Sequence, residues 1–125
     1  MVPDDRKYTQ DHEWILVEDG VGIVGVTDFA ANELGDVVFV ELPEVGAEFS
    51  QGDVIGTIES VKAVADLFLP VSGEVVAINN EVTDSPELVN SDPLDDGWLV
   101  KVKLSETGEL DKLMDAAGYD ALVGG

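Results

Sequence analysis

The chain has 125 residues, 45% of them hydrophobic, enough for one core and too few for two ordinary domains. Its 27 acidic residues face only 6 Lys and Arg, a formal net charge of −21 that repels phosphates and anionic headgroups and excludes nucleic acid and membrane surfaces as partners. Cysteine is absent, which excludes disulfides, thiolate metal sites and a cysteine nucleophile, so any sulfur redox chemistry must be carried by an attached group.

Apolar runs fall short of a membrane span, and Met1-Val2-Pro3-Asp4-Asp5 lacks the basic start and apolar stretch of a secretory signal. A cytoplasmic protein is expected. The carboxylates are spread along the chain and do not form a tail, a pattern that suits a high-salt cytoplasm, where screening relieves self-repulsion. An acidic face read by basic patches on partner enzymes is the other explanation.

In chain order, His12 to Val17 and Val21 to Val26 read as a hairpin, with Asp19-Gly20 as its turn. The first strand would present His12, Trp14 and Leu16 on one face and Ile15 and Val17 on the other. Thr27 caps a helix over 28–34 that Gly35 ends. Val37 to Leu42 is a strand stopped by Pro43. Glu74 to Ile78 continues the sheet as far as Asn79-Asn80, and Pro86 opens one helical turn to Asn90. Trp98, Val100, Val102 and Leu104 alternate with Leu99, Lys101 and Lys103, a strand with one wet face. Leu110, Leu113, Met114 and Ala117 give an amphipathic helix over 109–117, stopped by Gly118.

The segment from Gly52 to Gly73 is the most informative. Its apolar residues alternate imperfectly with Asp53, Thr57, Glu59 and Asp66, as in two strands bounded by glycine turns. Lys62, within Glu59-Ser60-Val61-Lys62-Ala63, is the only basic residue between Lys7 and Lys101 and falls at the hairpin tip. An ordinary hairpin with a solvated lysine fits the same pattern. An exposed lysine is a cation at neutral pH and a poor nucleophile, so Lys62 reads as a substrate for acylation and not as a catalyst.

Glu59-Ser60-Val61-Lys62-Ala63 with Asp66 and Pro70-Val71-Ser72-Gly73-Glu74-Val75 closely resembles the lipoyl-attachment segment of the H protein of the glycine cleavage system. His12-Glu13-Trp14, residues 25–30 and 34–43, Pro86-Glu87-Leu88-Val89-Asn90, Asp92-Pro93 and Gly97-Trp98 resemble further segments of that family in the same order. Two departures, Leu94 for an aromatic and Leu69 for a small residue, read as repacking. The resemblance covers about residues 7–120 and implies a single lipoyl-carrier domain over 1–125. The implied fold is mainly β: a flattened β-sandwich of the lipoyl/biotinyl carrier type, a barrel-sandwich hybrid, with short helices at the N-terminal side and the C-terminus.

The resemblance further implies lipoic acid joined to Lys62 by an amide, with Glu59, Ser60, Val61 and Ala63 as the recognised flanks. The implied partners are glycine decarboxylase, aminomethyltransferase and dihydrolipoamide dehydrogenase, with a lipoate ligase or lipoyl transferase attaching the group. A carrier subunit, not a catalyst, is implied. Glu13 and Asp66 are candidates for shielding a cationic aminomethyl load, though each also reads as a surface carboxylate.

Related functions fit less well. Biotin sites favour Met on both sides of the lysine, and carrier domains of 2-oxoacid dehydrogenases usually have Asp where Val61 stands. A relay delivering lipoyl groups to 2-oxoacid dehydrogenases remains the alternative. An enzyme built on His12 and Glu13 lacks a nearby nucleophile. Asp92, Asp95 and Asp96 read as a solvated turn and not as a metal site. Trp14 and Trp98 read as core or rim aromatics.

Overall fold

In the computed structural model, residues 3–124 are described. Met1 and Val2, part of the stretch read above as lacking a secretory signal, and Gly125 lie outside the described residues.

Among the described residues, nine strands form two antiparallel sheets. They are β1 (Lys7–Tyr8), β2 (Glu13–Glu18), β3 (Val21–Val26), β4 (Val37–Glu41), β5 (Glu48–Phe49), β6 (Val54–Ser60), β7 (Val64–Phe68), β8 (Gly73–Ile78) and β9 (Val100–Leu104). One sheet runs β1-β2-β3-β9-β8-β5 and the other β4-β6-β7. The helices are α1 (Asp28–Leu34), α2 (Asn80–Asp84), α3 (Leu88–Ser91) and α4 (Ala116–Leu122), with a 3-10 turn over Thr107–Lys112. No helix among the described residues is long and apolar enough to cross a membrane. The flattened β-sandwich expected from the sequence is the fold observed, with α2 and α3 added in its middle.

The β2–β3 hairpin closes as its sequence requires. Asp19 and Gly20 both take positive φ, 52° and 79°, the turn whose twist matches a two-residue hairpin. Ile15, Val24 and Val26 from this hairpin join Val40, Ile58 and Leu67 from the other sheet in the core. The opposite side of β2 is covered too. Trp14 lies across Gly25, its register partner, so closely that a Cβ there would come within 2.6 Å of the indole. The indole Nε1 donates to the carbonyls of Val26 (2.9 Å) and Pro93 (3.0 Å).

Trp14 is packed there with Tyr8 and Tyr119, the latter from α4. The Tyr119 hydroxyl lies 2.8 Å from His12 Nδ1 and 2.7 Å from Thr27 Oγ1. Of the two departures from the family pattern, Leu94 packs against this aromatic cluster and Leu69 is buried in the main core.

Several expectations need correction. His12 precedes β2 with φ of 67° instead of sharing a strand face with Trp14: it closes a turn in which its N–H donates to Thr9 O at 3.1 Å, and its ring lies against Tyr119. Leu99 is fully buried, not on the wet face: it precedes β9 and belongs to the core that also takes Val82 of α2 and Val89 of α3. The single helix over 109–117 is two elements. Met114 pairs with Tyr8 through both backbone groups (2.8 and 2.9 Å), which forces an extended link. Asp115 then caps a new helix by accepting from Gly118 N–H at 2.8 Å, so Gly118 lies inside α4 and does not stop a helix. The strand ending at Asn79-Asn80 runs straight into α2, because the Asn79 side chain accepts from Glu81 N–H and caps it.

Candidate functional site

Lys62 lies in the three-residue link between β6 and β7 and is exposed. The link is held from three sides. Ser60 closes it: its N–H donates to Ala63 O at 2.8 Å, and its hydroxyl oxygen accepts from Ala63 N–H at 3.0 Å. Val61 N–H donates to Asp36 O at 3.0 Å, tying the tip to the α1–β4 loop. That loop is in turn held by Asn90 of α3, which donates to Gly35 O (2.7 Å) and accepts from Val37 N–H (2.9 Å). The lysine therefore stands on a fixed backbone.

Gly35 lets the lysine stem pass close over the loop. Its φ of 77° with ψ of −156° is a glycine conformation. A Cβ there would sit 3.3 Å from Lys62 Cε, so the missing side chain leaves the cradle over which the stem passes. Thr27 caps α1 by accepting from Ala30 N–H, and Gly35 ends it, as read from the sequence.

Glu13 is placed by β7. That strand is an edge of the three-stranded sheet. Because Ser60 and Ala63 are hydrogen-bonded to each other, Val64, Asp66 and Phe68 turn their backbone groups away from β6. Glu13 meets this edge: Oε2 accepts from Phe68 N–H at 2.8 Å and Oε1 from the Thr9 hydroxyl at 3.1 Å. It is 2% exposed. Burial pushes its carboxyl up to about 8, against the two hydrogen bonds, which lower it, and with a small push from the charge of Asp11. Glu13 lines a cleft of about 360 Å³ with Thr9, Phe68, Leu69, Lys112 and Met114.

Asp66 does not line that cleft. It is exposed and pairs with Thr57 across the hairpin, on the outward face of the sheet. Glu59 and Val61 are exposed as well, and Ala63 with them, whereas Ser60 is buried in its closing role. A larger groove of about 520 Å³ between Phe49, Asp53, Ser72 and Lys103 touches none of these residues.

Asp92, Asp95 and Asp96 come together, their oxygens within 4.8 Å of one another. Asp96 N–H donates to Asp92 Oδ2, so the cluster is a closed acidic turn. Trp14 is core and Trp98 half-buried, with the Lys101 amine 5.0 Å from its ring centroid. Sequence reading passed over Thr9, Asn90 and Gly35 as parts of the site. The signals were present as Thr9 four residues before Glu13 and as Asn90 closing the Pro86–Asn90 motif, but each acts through folded contacts.

The family model described as "Glycine cleavage H-protein" matches residues 6–124. The chain is 58% identical over 120 residues to the glycine cleavage system H protein of Symbiobacterium thermophilum, covering 96% of this chain and 94% of that one. To that of Carboxydothermus hydrogenoformans it is 54% identical over 123 residues, covering 98% and 95%. Among solved structures, the crystal structure of a glycine cleavage system H protein from Mycobacterium marinum superposes with a TM-score of 0.92 at 41% identity, covering 98% of this chain and 99% of that one. With fold, tip lysine and near full-length similarity in agreement, the chain belongs to the glycine cleavage H-protein family.

Proposed function

We propose that this chain carries lipoic acid as an amide on Lys62 and serves the glycine cleavage system as its shuttle, acting as a carrier and not as a catalyst. The observation that carries the reading is one exposed lysine on a backbone pinned by Ser60, Asp36 and Asn90, its stem cradled over Gly35. That arrangement fits an amine that a separate enzyme must reach and acylate. Once attached, the lipoyl group supplies a cyclic disulfide that accepts an aminomethyl unit and electrons. Glycine decarboxylase, aminomethyltransferase and dihydrolipoamide dehydrogenase are the partners in that reading, with a lipoate ligase or lipoyl transferase forming the amide.

The chain's own residues supply binding and protection. Glu13 offers a carboxyl at the edge of β7, held by Phe68 N–H and the Thr9 hydroxyl. With its pKa raised to about 8 by burial, this carboxyl is largely protonated at neutral pH. An amine cation entering the cleft favours its ionised form, so binding of the cation releases a proton and forms a charge-assisted hydrogen bond shielded from water. Asp66, two residues up the same strand, adds negative potential on the way from Lys62 to the cleft.

Intact mass after incubation with lipoate, ATP and a purified lipoate ligase tests the assignment. Wild type should gain one lipoyl increment and Lys62→Arg none, with both equally folded. An increment on the Arg protein, or none on wild type, overturns it.

A further inference from the structure

The outward face of the three-stranded sheet is shaped around Lys62 in a way that carrying an acyl group does not require. Phe39, Glu59 and Val64 are direct lateral partners across β4, β6 and β7, so their side chains rise on one face. Phe39 is 49% and Val64 65% exposed. The register shift between Val37 and Phe39 breaks the alternation that would bury one of two consecutive residues, and Val38 is exposed as well. Val61, beside Lys62 at the tip, is 70% exposed.

Four of the nine exposed large hydrophobic residues, among the described ones, therefore gather around the lysine. Scattered exposed valines need no account; four exposed apolar residues gathered on the strands and tip around one lysine, with Glu59 between Phe39 and Val64, do. The next row down the same face, Glu41-Thr57-Asp66, is bordered by carboxylates. None of Glu41, Glu59 and Asp66 is ion-paired among the described residues.

We propose that this face is the docking surface of the enzyme that acylates Lys62, an enzyme presenting apolar contacts for Phe39 and Val64 together with Lys or Arg opposite Glu59 and the carboxylates of the next row. The inference rests on Lys62 being the acylated residue. The amide forms when the deprotonated Nζ attacks an activated acyl carbon, whose leaving group departs with the bonding pair while Nζ sheds its second proton. The enzyme must therefore bring its reaction centre to within a bond length of Nζ. The inner side of the tip is taken by the Gly35–Asp36 loop, and the body of the enzyme covers the open outward side. Apolar side chains flanking an exposed Glu59, with Glu41 and Asp66 in the next row, on a chain of net charge −21 select a partner of complementary charge and give it fast encounter.

The test is steady-state lipoylation by a purified lipoate ligase with ATP and lipoate, the carrier being the varied substrate. Phe39→Ser should raise the KM for the carrier about tenfold, as loss of an aromatic anchor does. Val64→Thr, which keeps the shape and so the fold, should raise it several-fold. Both should leave kcat within about twofold, and Val45→Ser, exposed but off the patch, should match wild type. Wild-type KM for both patch variants overturns the proposal while leaving the Lys62 assignment standing. If these variants are lipoylated normally but are slow in glycine-dependent CO2 exchange, the face belongs to the decarboxylase and the proposal is likewise overturned. Failure of wild type to accept a lipoyl group removes the functional reading itself.

Discussion

Glu13→Gln removes a carboxyl that the fold holds largely protonated near neutral pH, and its effect can be worked from the structure. The side chain is 2% exposed and accepts only two hydrogen bonds, and burial lifts its pKa from the ordinary 4.5 to about 8. Below 4.5 the carboxyl is protonated in both folded and unfolded chains, and its contribution is fully present. Between 4.5 and about 8 the unfolded chain has lost the proton and the folded chain keeps it, so stability falls as pH rises. At about 1.4 kcal/mol per pH unit, wild type should lose about 4 kcal/mol relative to Glu13→Gln between pH 5 and pH 9. Urea unfolding of both proteins across that range, in constant high salt, reads the difference directly. Subtracting one protein from the other cancels what the two chains have in common. A gap that stays flat to within about 1 kcal/mol would refute the argument that burial dominates at Glu13.

At Gly35, substitution by Ala imposes a backbone conformation that side chains avoid and costs about 1–3 kcal/mol in urea unfolding. The steric part is small because the Lys62 stem can move, so lipoylation should persist with a raised KM. Once a cationic amine is loaded, Glu13→Ala should speed its spontaneous loss about tenfold or more while the lipoyl increment on Lys62 is retained; equal release from wild type and variant would return Glu13 to a structural role. Melting temperature should rise by at least about 5 °C from dilute buffer to molar KCl, since Arg6–Asp5 is the sole ion pair among the described residues and most carboxylates repel one another; a flat profile would leave partner recognition as the reason for the acidity.

Local chemistry was enough to place the hairpin turn at Asp19-Gly20, the capped helix between Thr27 and Gly35, and the β6–β7 hairpin with Lys62 at its tip. Each depends on residues within a few positions of one another, where backbone preference and alternation decide the outcome. The ordered run of motifs shared with the glycine cleavage H-protein family carried the sandwich as well. What periodicity misjudged was settled by partners far along the chain. Leu110, Leu113, Met114 and Ala117 have helical spacing, but the pairing of Met114 with Tyr8 breaks that segment in two. Leu99 alternates with buried residues and is itself buried, because it joins the core that takes α2 and α3. Glu13 reads equally well as a surface carboxylate or as a partner for a cationic load, and its burial is decided only when Phe68, 55 positions away, brings the open edge of β7 against it. Burial and pKa depend on which distant groups displace water from a side chain, and only the packed structure decides that.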